Sequence, residues 1–313
     1  MRQARRLVLI TGSPRSGTTT IGDVLGSAPA TATIYEPMNF HSGDRCIQRY
    51  FEIPGTGGFS AADLDDLTRR MSRLHLRLKS GVWPEDKGLR RLAKYAVGGR
   101  SRTSYLKARL HPASMTVLWK DPMAAFAARR LVHHHGMAVV VAYRAPHPVA
   151  ASFRRMGWQF DLREILPRAQ AAGLWVPPDH QDLPLEDPLI NAAVLWTVVY
   201  AELLDLAQRH RDQVSVVDLE GLITAPHDTY SKVFSRLGLS FDARTKSRLD
   251  AIYAPRAVAN DGVPGGHAHP RDRDRDPSQA NSYWKKLLTN DETAAVSAIT
   301  QPVQQGFSRF FQG

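Results

Sequence analysis

The sequence predicts an α/β fold in which a central parallel sheet is covered by helices on both faces. Three observations carry that prediction. Short apolar runs at 7–11, 32–35, 115–119, 137–143 and 214–219 show no polar alternation, the pattern of strands buried on both faces. Segments with helical spacing separate these runs, as parallel crossovers require. A glycine-framed turn follows the first run directly, in Leu7-Val-Leu-Ile-Thr-Gly-Ser-Pro-Arg-Ser-Gly-Thr-Thr-Thr20. That is a strand-to-helix junction, where backbone N–H groups and the helix dipole favour anions.

Taken in order, 7–11 reads as a buried strand with a helix starting near Thr18, and 32–35 as a weaker strand. Between 58 and 109 the chain is rich in Arg, Leu and Ser at helical spacing and is punctuated by Gly81, Gly88, Gly98 and Gly99. This stretch reads as a helical insertion or cap. Runs 115–119 and 137–143 are stronger strands, each followed by a helix-compatible segment. A proline-containing elaboration at 161–188 precedes a long helix over 191–210, with Leu195, Val198, Val199, Glu202 and Leu206 on successive turns. Strand 214–219 is followed by a turn at Ala225-Pro226 and a helix over 230–237. Segment 260–282 is polar, with charges alternating from Arg271 to Asp276, and reads as a solvated loop. There is no internal repeat. The expectation is a single domain over 1–313, with acceptor-side helical insertions at about 41–115 and 157–190 and a lid loop at about 256–285.

At 313 residues the chain can bury one sizeable core. Its net charge of +11 favours anionic partners. The basic residues are scattered, without the block expected of a nucleic-acid-binding arm. A single cysteine, Cys46, excludes an intramolecular disulfide and a cysteine-rich metal site. The first apolar run is too short for a signal-peptide core, and no run reads as long enough to cross a bilayer. A cytoplasmic enzyme without a membrane or nucleic-acid partner is the resulting expectation.

The glycine-framed turn carries the chemistry. Gly12 and Gly17 have Walker A spacing, but Thr18 occupies the lysine slot, and Arg15 is the only cation in the loop. Such a loop cradles an anion through the N–H groups of residues 15 to 19, with Arg15 as a planar fork and Thr18 and Thr19 as hydroxyl donors. It lacks the lysine that bridges the outer phosphates of a nucleoside triphosphate, so ATP is not the expected ligand.

Pro14-Arg-Ser-Gly-Thr-Thr19 resembles the 5′-phosphosulfate-binding motif of sulfotransferases that use 3′-phosphoadenosine 5′-phosphosulfate (PAPS). Segment 139–152 is similar to the family's 3′-phosphate-binding segment. There a strand ends at Arg144, and a helix with proline in its first turn carries Ser152 eight residues on. Ile34-Tyr-Glu-Pro-Met38 looks like the family's Glu-Pro element, and Leu118-Trp-Lys-Asp-Pro122 like its lysine segment beside the sulfuryl group. Val217-Asp-Leu-Glu-Gly221 and Val233-Phe-Ser-Arg-Leu-Gly-Leu239 resemble its last core strand and helix. The carboxyl-terminal part departs from the pattern. Asp261 stands where a basic residue precedes the lid glycine, which leaves Arg256, Arg271 and Lys285 as candidates to close over the 3′-phosphate.

The resemblance implies a P-loop-like three-layer fold and a PAPS site made by Pro14, Arg15, Ser16, Gly17, Thr18, Thr19, Arg144 and Ser152, leaving PAP (3′-phosphoadenosine 5′-phosphate) as product. It implies Glu36 as general base, with Asp121 and His41 as fallbacks, Arg15 facing the leaving phosphate and Lys120 at the sulfuryl oxygens, with no metal required. The acceptor expected is a hydroxyl, rather than an amine, of a carbohydrate or small molecule, with Trp158 and Phe160 on its side of the site. The competing expectation for Glu36 is a structural carboxylate paired with Arg15 or another arginine. His133-His-His135 resembles a metal tract, but adjacent helical side chains diverge by about 100° and cannot converge on one ion. Two alternatives stand beside this reading: a small-molecule or nucleoside kinase with an atypical loop, and a catalytically silent protein that binds a nucleotide or a sulfated glycan.

Overall fold

The computed structural model describes residues 4–81, 88, 99–111, 113, 115–254 and 281–312. Strands β1 (Arg6–Thr11), β2 (Thr31–Tyr35), β3 (Thr116–Lys120), β4 (Ala138–Tyr143) and β5 (Val214–Asp218) fall within two residues of the expected runs. They form one parallel sheet in the order β2-β3-β1-β4-β5. All of β3 and residues 7–11 of β1 are buried, which explains why neither run alternates.

The register places the strand ends together. Ile10 pairs with Lys120, Lys120 with Tyr35, Thr11 with Val141, and Tyr143 with Asp218. The loops after β1, β2, β3 and β4 therefore leave one edge of the sheet, where open α/β sheets place their ligands.

The helices are α1 (Thr18–Leu25), α2 (Ala61–Ser72), α3 (Arg100–Leu110), α4 (Ala128–His135), α5 (Pro146–Met156), α6 (Leu162–Ala171), α7 (Pro188–Arg209), α8 (Leu219–Thr224), α9 (Pro226–Arg236), α10 (Ala243–Tyr253) and α11 (Asn290–Gln312). Two apolar clusters lie on either side of the sheet. Val8, Ile10, Val140 and Ala142 pack with Ile21 of α1, Phe234 of α9 and Leu249 of α10. Leu7, Leu9, Val139 and Val141 pack with α2, α4, α5, α7 and α11. Leu64, Leu67 and Met71 of α2 are wholly buried in this second cluster, so the segment expected as a cap also supplies core. Ser60 and Asp63 start α2 with a reciprocal capping box.

Helix α7 starts three residues earlier than expected, at Pro188, because Asp187 accepts hydrogen bonds from Leu189 N and Ile190 N and caps it. Its length and composition would suffice to cross a bilayer, which corrects the expectation that no such stretch exists. Its residues are mostly buried inside the protein, as in the core helix of a layered fold. Trp196 Nε1 donates to Arg144 O at 2.8 Å and Tyr200 Oη to Ala142 O at 2.5 Å, so α7 holds the carboxyl end of β4 from beneath. Helix α11 was not anticipated; it packs on α7 and α5, and its Phe307 stacks on Tyr143 at 4.3 Å.

Candidate active site

The turn after β1 is built by backbone that few side chains tolerate. Gly12 has φ +148°, Gly17 +86° and Arg15 +72°. A Cβ on Gly12 would stand 2.4 Å from Ala142 O and 2.8 Å from Ser16 Oγ. Ser16 closes the turn with its N and Oγ on Ser13 O at 3.2 and 2.6 Å. Gly17 begins α1 with no side-chain cap, so the first N–H groups of that helix are left to an outside acceptor.

Arg15, Arg144 and Ser152 meet at this turn. Arg15 Nε donates to Ser152 Oγ at 2.9 Å, and Arg144 Nη1 donates to Arg15 O at 2.8 Å. Arg144 and Ser152 are both buried. Arg144 Nε reaches Asn281 Oδ1 at 3.1 Å, a partner 137 positions away that no motif announces. The Arg15 guanidinium lies 5.8 Å from the centre of the Trp158 ring.

Glu36 and Lys120 form a second cluster, at the ends of β2 and β3. Lys120 Nζ donates to Glu36 Oε1 at 2.7 Å, and Asn39 Nδ2 donates to Oε2 at 3.2 Å. The Lys120 side chain is 3% exposed and that of Glu36 is 32% exposed, so Glu36 is the more accessible member of the pair. Glu36 N donates to Lys120 O at 2.7 Å. The residue sits at φ +54°, which is costly for a residue with a Cβ and is held by the turn around it. Burial pushes the Glu36 carboxyl up. The Lys120 charge and hydrogen bond, helped by Arg100 and Asn39, outweigh that and hold it below the ordinary carboxylate range. The partner of Glu36 is thus a lysine, not the arginine weighed from the sequence.

A family model described as the sulfotransferase family matches residues 8–243. The chain belongs to the sulfotransferase family. Solved structures to which it is similar include the sulfotransferase domain of the Synechococcus PCC 7002 olefin synthase, at 16% identity over 98% of this chain and 96% of that one, with a TM-score of 0.47. Others are sulfotransferase STF9 of Mycobacterium avium, at 15% over 95% and 76% with a TM-score of 0.43, and the sulfotransferase of Alicyclobacillus acidocaldarius, at 16% over 80% and 92% with a TM-score of 0.39. No curated protein matches the chain. Within this sulfotransferase the family match ends before Asn281 and α11.

The fallback bases stand differently from Glu36. Asp121 is fully buried, accepting from Met38 N at 2.6 Å and Met123 N at 2.9 Å. It caps the short turn of helix that follows β3 and anchors the loop after Glu36. Burial and then the Glu36 charge push its carboxyl up to about 7. Because this value is raised from 3.8, the group's contribution to stability is complete below pH 3.8 and is lost as the pH rises through about 7. Asp121→Asn is therefore expected to flatten the fall in melting temperature between pH 4 and pH 7. An unchanged slope refutes this account.

His41 N donates to Asn39 Oδ1 at 2.9 Å, and its ring packs edge-on against Phe40 and Tyr50. Lys285 lies 5.9 Å from the Trp284 ring; Arg256 and Arg271 are outside the described residues. The His133 ring contacts His210, while His135 pairs with Asp65. Among the described residues no group of side chains is arranged to hold a metal ion. Asp218 caps α8 through Glu220 N and Gly221 N.

Proposed function

We propose that this sulfotransferase moves a sulfuryl group from PAPS to a hydroxyl, rather than an amine, of a carbohydrate or other small molecule. The observation that carries the reading is the junction of Arg15, Arg144 and Ser152 at a turn whose glycine leaves no room for a Cβ. Two guanidinium groups, buried hydroxyls and the uncapped N–H groups of α1 suit a ligand phosphorylated at both ends. Pro14, Ser16, Gly17, Thr18 and Thr19 supply the rest of the cradle. PAPS supplies a sulfuryl group already bonded to a phosphate that can leave.

Glu36, ionised and the more accessible of the pair, takes the proton of the acceptor hydroxyl. Lys120 keeps that carboxylate ionised and directs its ammonium to the site, where it meets charge developing on the sulfuryl oxygens. Arg15 and the loop N–H groups face the leaving phosphate. Each such preorganised donor contributes about 3–4 kcal/mol to the transition state. The acceptor enters beside segments 41–115 and 157–190, the insertions of a single domain, and the expected lid at 256–285 falls largely outside the described residues.

PAP is expected to raise the melting temperature, with stabilisation of about 2.7 kcal/mol at a hundred times its dissociation constant. Turnover with PAPS is expected to persist in EDTA, whereas a kinase would lose activity without Mg²⁺. No thermal shift with PAP refutes the donor assignment.

A further inference from the structure

Helix α3 presents apolar side chains on two opposite faces. Ser101, Ser104, Tyr105 and Ala108 form its buried face, and Tyr105 Oη donates to Leu74 O at 2.7 Å, which fixes that face against the core. At about 100° per residue, Leu106 and Leu110 project from the other side. Leu106 is 40% exposed, Leu110 80%, and Met115, just beyond the helix, 58%. Three of the six large apolar side chains exposed among the described residues thus fall within ten positions. Single exposed apolar side chains are ordinary, but a contiguous ridge marks an interaction surface.

Cations flank the ridge. Around the helix, Arg102 and Arg109 lie on one side of it and Lys107 on the other, and α3 contains no Asp or Glu. The side chains of Arg102 and Lys107 make no ion pair among the described residues. The ridge also lies away from the candidate active site. Arg100, at the start of α3, is 3.6 Å from Asp23 and stands 3.8 Å over the Tyr35 ring, at the carboxyl end of β2. Met115 N donates to Ala30 O at 2.9 Å and Met115 O accepts from Arg6 N at 3.0 Å, so Met115 stands where β1, β2 and β3 begin. At about 3.3 Å per residue, β3 separates it from Lys120 by roughly 16 Å.

We infer that the outer face of α3 docks this protein on an anionic lipid bilayer. Leu106, Leu110 and Met115 enter the boundary between headgroups and acyl chains, and Arg102, Lys107 and Arg109 reach the headgroup charges. Long basic side chains suit that place, because their stems cover apolar surface while their charges stay among the headgroups. The net charge of +11 adds attraction to an anionic leaflet. A second copy fits this face poorly. Two-fold pairing would bring the cations of both copies together, with no carboxylate on α3 to answer them. An acidic protein would answer the cations, but leucines that protrude this far suit a fluid surface that closes around them. The absence of a membrane partner was expected from the lengths of apolar runs, which detect spanning segments and not a ridge on one helix. Docking in this way turns the carboxyl ends of the strands away from the lipid and leaves the candidate active site open to soluble ligands.

The test is co-sedimentation of the whole protein with phosphatidylcholine vesicles, with and without phosphatidylglycerol. It is run in about 0.1 M and about 1 M salt, where the Debye length falls from about 10 to about 3 Å. Binding is expected only where phosphatidylglycerol is present, and to weaken by about tenfold or more at the higher salt. Leu110→Gln, which leaves the charge unchanged, is expected to lower vesicle affinity about tenfold. Lys107→Gln is expected to lower it about fivefold. Both side chains are exposed, so melting temperatures are expected to stay as they are. Lys232→Gln removes the same charge from α9, which packs beside β5 at the far edge of the sheet, and is expected to leave affinity unchanged. Equal binding to both kinds of vesicle overturns the inference, as does full affinity in Leu110→Gln or equal losses in the two lysine variants. Binding to neither vesicle also overturns it and leaves an acidic protein as the partner of this face. A dimer seen by light scattering and lost in Leu110→Gln overturns it in favour of a contact between copies.

Discussion

Glu36→Gln is expected to lower kcat by about 10²–10⁴-fold while leaving the thermal shift given by PAP intact. The substitution is isosteric, and its amide oxygen can still accept from Lys120, so the geometry at the ends of β2 and β3 is retained. What is lost is the ability to take a proton. Lys120 is almost fully buried, and removing its counter-charge destabilises the fold. The cost stays below the several kcal/mol typical of a broken buried pair, because the Glu36 side chain is partly exposed.

As the proposed base, the same carboxylate is expected to set an acid limb. Its value is depressed in the folded protein, so it stays ionised at neutral pH and activity is expected to fall only below the ordinary carboxylate range of about 4.3. The stability it contributes is present above the unfolded value and is lost as the pH falls through the lower folded one. Glu36→Gln removes that acid-side loss. Near-normal kcat in the variant, or an acid limb that survives it, rules out Glu36 as the base.

How much of this was legible in the sequence depended on whether the relevant physics was local. Strands β1, β3 and β4 were readable because burial on both faces removes polar alternation, and the turn at Gly12–Gly17 because its glycines sit at a fixed spacing after a strand. The ends of β2 and β3 were placed closely enough to single out Glu36 and Lys120 separately. Their pairing was not readable: it depends on the register that sets Tyr35 beside Lys120, and registers between strands 85 positions apart leave no local mark. Asn281 was missed for the same reason, since its contact with Arg144 spans 137 positions. Helix α11 contains Pro302, and its Val296, Val303 and Phe307 are buried in contacts with distant elements, α5, α7 and Tyr143 of β4 among them. Trp158 and Phe160 stood out beside the segment expected to bind the 3′-phosphate, but the packing of Tyr50 on Phe160 was not legible; Arg168 of α6 holds the backbone of 50–51 there.

Gly12→Ala is expected to destabilise the protein by about 3–5 kcal/mol and to abolish the thermal shift with PAP. Two penalties act together. The backbone at φ +148° lies where residues with a Cβ are strained, and the added methyl would stand 2.4 Å from Ala142 O. That oxygen cannot retreat. It belongs to β4, which is paired to β1 through Thr11 and Val141, and it accepts the Tyr200 hydroxyl at 2.5 Å. Relief must come from the turn itself, which would carry Arg15 and the first N–H groups of α1 out of the arrangement proposed to hold the anion. Gly136→Ala separates the two penalties: its φ is +56° and a Cβ there meets nothing within 4 Å. Strain alone acts at Gly136, so a loss of about 1 kcal/mol is expected, with the PAP shift preserved. Melting temperatures of the two variants with and without PAP decide the matter. Equal losses, or a PAP shift that survives Gly12→Ala, would mean that the contact with β4 does not shape the anion cradle.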